Sequence, residues 1–494
     1  MESGDPRALL DELCRVRERV ASEGAAILRR WEPSLERGSF RASAENLAHY
    51  VALRHLDLRP LQAALAPWGL ASLARSESRV MPTLDAIVAN LAAIAGADDV
   101  PAQRPEPSRW MAGIGAIERN ATTLFGPPPD GRETRILVTL SKQASRDPDL
   151  VRGMLRVGMD CARINCGRDT ADDWTAMIAT VRAASAEFGR PCPVLMDLAG
   201  PKIRTRNVLT PAKRRSVKAG DRILLTFAAP RANPDFPFQA DCSMPEVLRQ
   251  VNAGARVSIR DGLISGEIET VRDDGLVMAV TRTPPEGQPL QEKRGINFPG
   301  TALAVSPLTD ADLRDLDFVA AHADGVSYSF VQRPEDIALL QRELEKRRPG
   351  RPPMPIIAKV ETQLAIGNLP DMIVQAAGAN PFGVMIARGD LAVEIGYERL
   401  SEVQEEILWL CEAAHVPVIW ATQVLESLIK RGMPSRGEFT DAAMADRAEC
   451  VMLNKGDYVS EAITVLDNVI RRMESHKRKR SLQLRPLRAW ENVH

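Results

Sequence analysis

Through the first hundred residues, apolar side chains recur every three to four positions: Leu9, Leu13, Val16, Val20, Ile27 and Trp31, then Leu84, Ile87, Leu91 and Ile94. That spacing predicts amphipathic helices with one buried stripe each. Pro60, Pro67 and Pro82 divide the stretch into several helices, and the proline-rich text from Pro101 to Pro129 reads as a linker. After Gly131 the pattern changes to short apolar runs alternating with helical periods. Strands are predicted at Arg135–Thr139, Cys161–Ile164, Val194–Leu198, Gly325–Ser329, Pro355–Lys359, Phe382–Ala387, Val416–Ala421 and Cys450–Leu453. A helix pattern follows each except the third; Asp147-Pro148, for example, supplies an N-cap and a first-turn proline. Between residues 206 and 293 the period drops to two, with strands predicted at Asp221–Leu225, Arg256–Ile259, Ser265–Val271 and Leu276–Val280. The pattern predicts an α/β protein: a (β/α)8 TIM barrel over 131–205 and 294–480, a small β-barrel lid domain inserted after strand three (206–293), an N-terminal all-α domain over 1–130, and a tail from 481 to 494.

Composition narrows the function classes. The 494 residues carry 64 Lys+Arg against 65 Asp+Glu, a balance unlike that of a nucleic-acid binder working through overall charge. No apolar run reaches the ~20 residues of a membrane span, and the acidic start Met-Glu-Ser-Gly-Asp lacks a secretory signal's apolar core. Seven scattered cysteines form no disulfide framework, which points to a reducing, cytoplasmic compartment. The six histidines never pair at metal-ligand spacing, no Gly-Lys phosphate loop or Gly-x-Ser-x-Gly elbow occurs, and Gly113-Ile114-Gly115 lacks the strand and third glycine of a dinucleotide fingerprint. Only 11 of the 64 basic residues are lysine, so a lysine in an apolar strand is a conspicuous choice.

In a (β/α)8 barrel, chemistry belongs at the C-terminal strand ends. Those positions hold Arg163 and Asn165 (strand two), Asp197 (three), Lys359 and Glu361 (five), Arg388-Gly389-Asp390 (six) and Thr422 (seven). Glu361 and Asp390 suit a hard divalent cation, while Arg163 and Lys359 could neutralise a phosphoryl group in transfer. Taken singly, Lys359 could equally be a snorkelling lysine, Glu361 and Asp390 helix-start carboxylates, and Thr422 a β-branched strand residue. Their joint placement favours one site.

Eight ordered segments resemble the pyruvate kinase family: CARIN (161–165), MDLAGPKIRT (196–205), RDGLISGEI (260–268), GINFPG (295–300), AKVET (358–362), MIARGDLAVEI (385–395), ATQVLESLI (421–429) and PSRGEFTD (434–441). The resemblance covers residues 131 to about 472 and implies a barrel with a mobile β lid, transferring phosphate from phosphoenolpyruvate to ADP in glycolysis. It implies that Lys359 contacts the phosphoryl group and the enolate oxygen, and that Glu361 and Asp390 hold Mg²⁺ or Mn²⁺. It further implies that the N–H groups of Gly389 and Asp390, with Thr422, cradle the substrate carboxylate, and that Thr422 lies near the carbon to be protonated. The resemblance also implies that Arg163 serves the phosphoryl side, and Asn165, Arg204 and Arg294 the nucleotide side. A homo-oligomer with neither membrane nor nucleic-acid partners is expected.

Departures qualify the resemblance. The family's Asn-Phe-Ser-His-Gly is Asn165-Cys166-Gly167-Arg168 here, and its Thr-Lys-Gly-Pro-Glu is Leu198-Ala199-Gly200-Pro201-Lys202. A serine hydroxyl that helps ligate potassium is thus missing, and Lys202 beside Asp197 is expected to replace the ion, making K⁺ unnecessary. The loop after strand eight, Asn454-Lys455-Gly456-Asp457-Tyr458, is about four residues short, SKQAS (141–145) departs from the usual Gly-Pro-Ala-Ser, and Arg294 stands where lysine is common. The family's C-terminal regulatory domain is expected to have no counterpart here, with only about twenty residues after the last barrel helix, and His476–Arg480 is expected to close that helix with positive charge. Two other readings stay open: a Mg²⁺-dependent barrel lyase for pyruvate- or oxaloacetate-like acids, and a catalytically impaired sensor of phosphoenolpyruvate.

Overall fold

The computed structural model describes residues 5–100, 103–474, 477–478 and 481–482. Eight parallel strands run in chain order around a closed barrel: Arg135–Thr139, Cys161–Asn165, Val194–Asp197, Gly325–Tyr328, Ile356–Val360, Phe382–Ala387, Val418–Ala421 and Cys450–Leu453. The first closes against the eighth in the register Arg135↔Cys450 to Val138↔Leu453. Alternation along each strand sends Leu137, Cys161, Leu195, Ile357, Met385, Ile419 and Met452 into the barrel, and Ile136, Val138, Ala162 and Ile164 outward against the helices. Helix starts follow their caps: Asp147 accepts from Leu150 N at 3.1 Å, and Thr170–Asp173, Thr309–Asp312 and Ser435–Glu438 form capping boxes.

The inserted domain is a seven-stranded sheet with its own core around Ile223, Leu225, Phe238, Val257, Ile268 and Met278. Its outer strands, Thr205–Leu209 and Ile296–Asn297, meet through an antiparallel bridge at Arg204 and Gly295, with Ile296 N donating to Ile203 O at 2.8 Å. The sheet therefore reaches from Thr205 to Asn297, wider than the 206–293 expected from alternation. Phe238–Cys242, a fully buried strand directly after Pro237, lacks the alternation that reveals its neighbours.

The segment read as a linker holds a 19-residue helix, Pro107–Phe125. Its prolines cluster at the two ends, and the text between them is proline-free and amphipathic, so average composition concealed it. Ala121, Leu124 and Phe125 on this helix plug the floor of the barrel, where Leu124 packs so closely on Gly383 that a Cβ there would lie 2.9 Å from it. The rest of the extension, built on Pro6–Trp31, Arg41–Arg54, Arg59–Leu65 and Val80–Ala95, clamps the barrel's flank. Trp31 Nε1 donates to Asp371 at 2.6 Å, and Arg37 NH1 to Asn380 O at 2.5 Å.

His415, at the end of a barrel helix, is the buried polar hinge of this contact: Ser43 Oγ lies 2.8 Å from Nδ1 and Ser78 O 2.9 Å from Nε2. Gly113 packs there as well, since a Cβ would lie 2.1 Å from Ser78 O, which gives that glycine a packing role. At the other end of the barrel, the last helix is described as far as Glu474, and Lys477–Arg478 pairs antiparallel with Ser481–Leu482. Of the basic run, Lys477 and Arg478 thus lie in a strand and not in the helix, while His476, Lys479 and Arg480, with most of the tail, lie outside the described residues.

Burial pushes His415 below its ordinary value of 6.5. The unfolded chain then takes up a proton below about pH 6.5 that the folded chain resists, so stability is complete at neutral pH and falls as pH drops through that range. Urea midpoints should decline between pH 7 and 5 for the intact protein and less steeply for His415→Gln; equal slopes would contradict this.

Candidate active site

The strand ends carry a chain of buried charges. Arg163, on strand two, donates to Asp197 on strand three through Nε and NH2 at 2.9 and 2.7 Å, and through NH1 to Thr139 at 2.9 Å. Lys359, on strand five, places its Nζ 3.6 Å from Asp197, 3.0 Å from Glu361 and 2.8 Å from Ser329 Oγ. Ser329 in turn donates to Leu198 O at 2.7 Å, and Phe330 N donates to Glu361 at 2.7 Å. Arg163, Asp197, Lys359 and Glu361 are all buried.

Burial alone would depress the Lys359 ammonium, but the charges of Glu361 and Asp197 outweigh it and hold its pKa above 10.5. Burial would likewise raise Asp197, yet Arg163 and Lys359 keep it below its ordinary value. Glu361 is pushed up by burial and by the charge of Asp390, despite its lysine. Asp390 is half-buried and pairs with Lys202 Nζ at 2.8 Å. Lys202 therefore does not sit beside Asp197 as the sequence suggested. Asp197 already has two cations, while Asp390 on the neighbouring wall lacked one.

Thr422 lies where strand seven leaves the barrel, with φ +67°, and its Oγ1 accepts the N–H of Gly389 at 2.8 Å. One of the two N–H groups expected to cradle a carboxylate is thus already held by Thr422. Arg388, at the start of the helix after strand six, fastens the same turn. It donates to Ala421 O at 3.0 Å, Thr422 O at 2.6 Å and Asp441 at 2.8 Å, and stacks over Trp420 at 4.6 Å. Left-handed backbone collects at this cleft: six of the ten described non-glycine residues with positive φ line it, namely Asp169, Arg260, Asp261, Lys293, Phe330 and Thr422. Such strain is concentrated where structure serves a site.

The cleft holds about 740 Å³ between barrel and lid. Arg163, Asn165, Lys202, Arg204, Arg294, Lys359, Glu361, Asp390 and Thr422 all line it, while Asp197 lies behind Arg163. Asn165 Oδ1 accepts from Gly167 N at 2.9 Å, and Arg294 is held by Gln291 at 2.8 Å. Sequence reasoning missed Ser329, Phe330 and Asp441, whose roles arise from contacts across the fold, and Arg260, Lys293 and Lys455 as cleft cations. For the last three the only signal was their position in loops on one face.

Fold and site together define a lidded (β/α)8 barrel whose open face gathers cationic side chains around buried carboxylates. The model of the family "Pyruvate kinase, barrel domain" matches residues 131–463. A pyruvate kinase of Mycobacterium tuberculosis is 34% identical over 352 residues, 70% of this chain and 71% of that protein. Human pyruvate kinase PKLR is 32% identical over 368 residues, 70% of this chain and 61% of its own. The solved structure of a pyruvate kinase from Cryptosporidium parvum superposes with a TM-score of 0.63 at 28% identity, covering 72% of each chain. This chain belongs to the pyruvate kinase family of phosphotransferase enzymes.

Asp197→Asn would leave Arg163 and Lys359 facing each other with only Glu361 in compensation. Breaking a buried pair in this way costs on the order of 3–5 kcal/mol. Denaturant unfolding should show that loss, and a change below about 1 kcal/mol would mean the pair is not buried in solution.

Proposed function

We propose that this chain transfers the phosphoryl group of phosphoenolpyruvate to ADP, giving pyruvate and ATP. The observation that carries the reading is Lys359, a buried ammonium kept charged by two carboxylates and turned into an anion-sized cleft. In the reaction the bond from phosphorus to the enol oxygen breaks, a bond to the terminal oxygen of ADP forms, and the released enolate takes up a proton at carbon to become pyruvate. Lys359 is placed to offset the charge on both the moving phosphoryl group and the enolate, and costs no reorganisation because its charge is fixed beforehand. Arg163, tied by Asp197 and Thr139, adds positive charge on the phosphoryl side. The N–H of Asp390, beside the Gly389–Thr422 pair, orients the substrate carboxylate at the start of a helix. Asn165, Arg204 and Arg294 take the nucleotide side.

Glu361 and Asp390 fit a hard divalent ion, since they are two carboxylates lining one cleft, close enough for the charge of Asp390 to raise Glu361. They would hold Mg²⁺ or Mn²⁺, which when bound supplies Lewis-acid neutralisation of phosphoryl oxygens. Activity without potassium is part of the same proposal, now on a different footing from Lys202 beside Asp197. Gly167 and Leu198 offer no hydroxyl to a monovalent ion, and Asp197 is already balanced by Arg163 and Lys359.

The reaction belongs to glycolysis in the cytoplasm. All seven cysteines are free, and among the described residues no helix is long and apolar enough to cross a membrane. Self-association is included, supported by Met433, Phe439, Met444 and Tyr458, which stay exposed around the helices after strands seven and eight.

ATP should form from phosphoenolpyruvate, ADP and Mg²⁺, and Lys359→Met should reduce the rate by at least about a hundredfold, the usual scale for one preorganised charge. No ATP from the intact chain, as a lyase or an impaired sensor would give, rejects the reading; activity surviving the substitution rejects the role of Lys359. A severalfold rise on adding K⁺ to a Na⁺- and K⁺-free assay would contradict potassium independence. Sedimentation velocity should find a species larger than 54.2 kDa, and a pure monomer would argue against self-association.

A further inference from the structure

A cavity of about 860 Å³ opens in the N-terminal extension, apart from the catalytic cleft and outside residues 131–463. Its size falls within the roughly 300–1,000 Å³ of pockets that enclose small ligands. It is walled by the helices Pro6–Trp31 and Val80–Ala95 and, with Val100, by the start of helix Pro107–Phe125 and the residues just before it. These walls are already fastened. Arg17 Nε donates to Asp85 at 2.6 Å and joins the first two helices. Arg7 donates to both carboxylate oxygens of Asp99 at 2.7 Å, next to Val100. Asn120 donates to His415 O at 2.8 Å and holds the third helix on the barrel.

Three guanidinium groups, Arg17, Arg104 and Arg109, line the cavity, and so do three carboxylates, Glu18, Asp85 and Glu106. The two signs balance in number, yet most of them stay apart. Asp85 alone is engaged, by Arg17 at 2.6 Å and by Arg109 at 3.9 Å. Among the described residues, the side chains of Arg104, Glu18 and Glu106 make no hydrogen bond and no ion pair, and Arg17 uses only its Nε. A purely anionic guest would meet the open carboxylates, and a purely cationic one the guanidinium groups. A guest carrying both signs satisfies both, with its carboxylate on the guanidinium forks.

The rest of the wall is apolar, from Cys14, Val88, Val100 and Pro105. Burial pushes the Cys14 thiol above its ordinary value of 9.0, so it stands there uncharged. No aromatic ring is among the described residues that line the cavity, so the surface suits an aliphatic body and not a stacked ring.

We propose that this cavity binds a small zwitterion with an aliphatic body, an α-amino acid such as leucine or a short peptide of such residues, its carboxylate on Arg104 and Arg17 and its ammonium against Glu18 and Glu106. The inference rests on neither the family nor the reaction.

Calorimetric titration of the full chain with L-leucine and with L-leucyl-L-leucine tests it. At least one should bind with a Kd below about 1 mM, and the tighter of the two identifies the source as amino acid or peptide. Its N-acetylated form, without the ammonium, and its amide, without the carboxylate, should each bind at least about tenfold more weakly. Glycine or diglycine, lacking the aliphatic body, should lose at least as much. Arg104→Ala and Glu106→Gln change exposed side chains that hold nothing else in place, and each should weaken binding about tenfold. Arg29→Ala, elsewhere on the first helix, should leave it unchanged. Cys14 gives a second readout, because the other six cysteines are buried. Saturation with the tighter probe should slow its labelling by N-ethylmaleimide severalfold.

No binding by either probe, or equal binding by the blocked forms, would overturn the zwitterion site. Equal losses in all three variants, or unchanged labelling of Cys14 at saturation, would overturn its placement in the extension. Each result reads the same whether or not the protein makes ATP, so failure here leaves the kinase reading untouched.

Discussion

The ammonium of Lys359 stands between two buried carboxylates, Asp197 at 3.6 Å and Glu361 at 3.0 Å, and the catalytic face is arranged around that balance. Remove either carboxylate and burial works against the charge. Asp197 in turn requires Arg163, and Glu361 shares its wall with Asp390, which Lys202 balances. Apart from Lys359 and Glu361, which share the end of strand five, each member comes from a different strand end or the mouth of the lid. The network therefore forms only when the barrel has closed and the lid's first hinge residue has reached across. Charge balance and topology are the same requirement here.

Below that face, the barrel is closed by the chain's own N-terminal extension. Leu124 and Phe125 fill the floor, and His415, Ser43 and Ser78 tie the extension to the barrel's flank. Chemistry at the top and packing at the bottom are thereby separated, the usual division of labour in this architecture. Among the described residues, none before residue 131 lines the cleft. The extension completes an apolar core that would otherwise open to water.

The eight strands, the insertion and most of the residues that line the cleft were legible because barrel strands carry continuous apolar runs and end in polar residues that have no packing reason to be there. Three things were not. The Pro107–Phe125 helix was hidden by prolines that flank it, because composition averages over a boundary that capping chemistry makes sharp. The partner of Lys202 was misassigned because sequence adjacency suggested Asp197, whereas the hinge turns the side chain toward Asp390. Arg388, visible in its motif, gave no hint that it fastens Thr422 through a main-chain carbonyl, since that contact spans 34 residues and exists only across two strand ends. Local pattern reports periodicity and caps; it does not report which charges meet.

A fixed cation in a lidded cleft should direct the phosphoryl group to ADP rather than to water. ³¹P NMR of one sample containing the protein, phosphoenolpyruvate, ADP and Mg²⁺ tests this most directly. The phosphoenolpyruvate resonance should decay with an equal gain in the γ-phosphate of ATP and almost no orthophosphate. Decay into orthophosphate with ADP unchanged, or no decay, would contradict the role assigned to Lys359 and the charges around it.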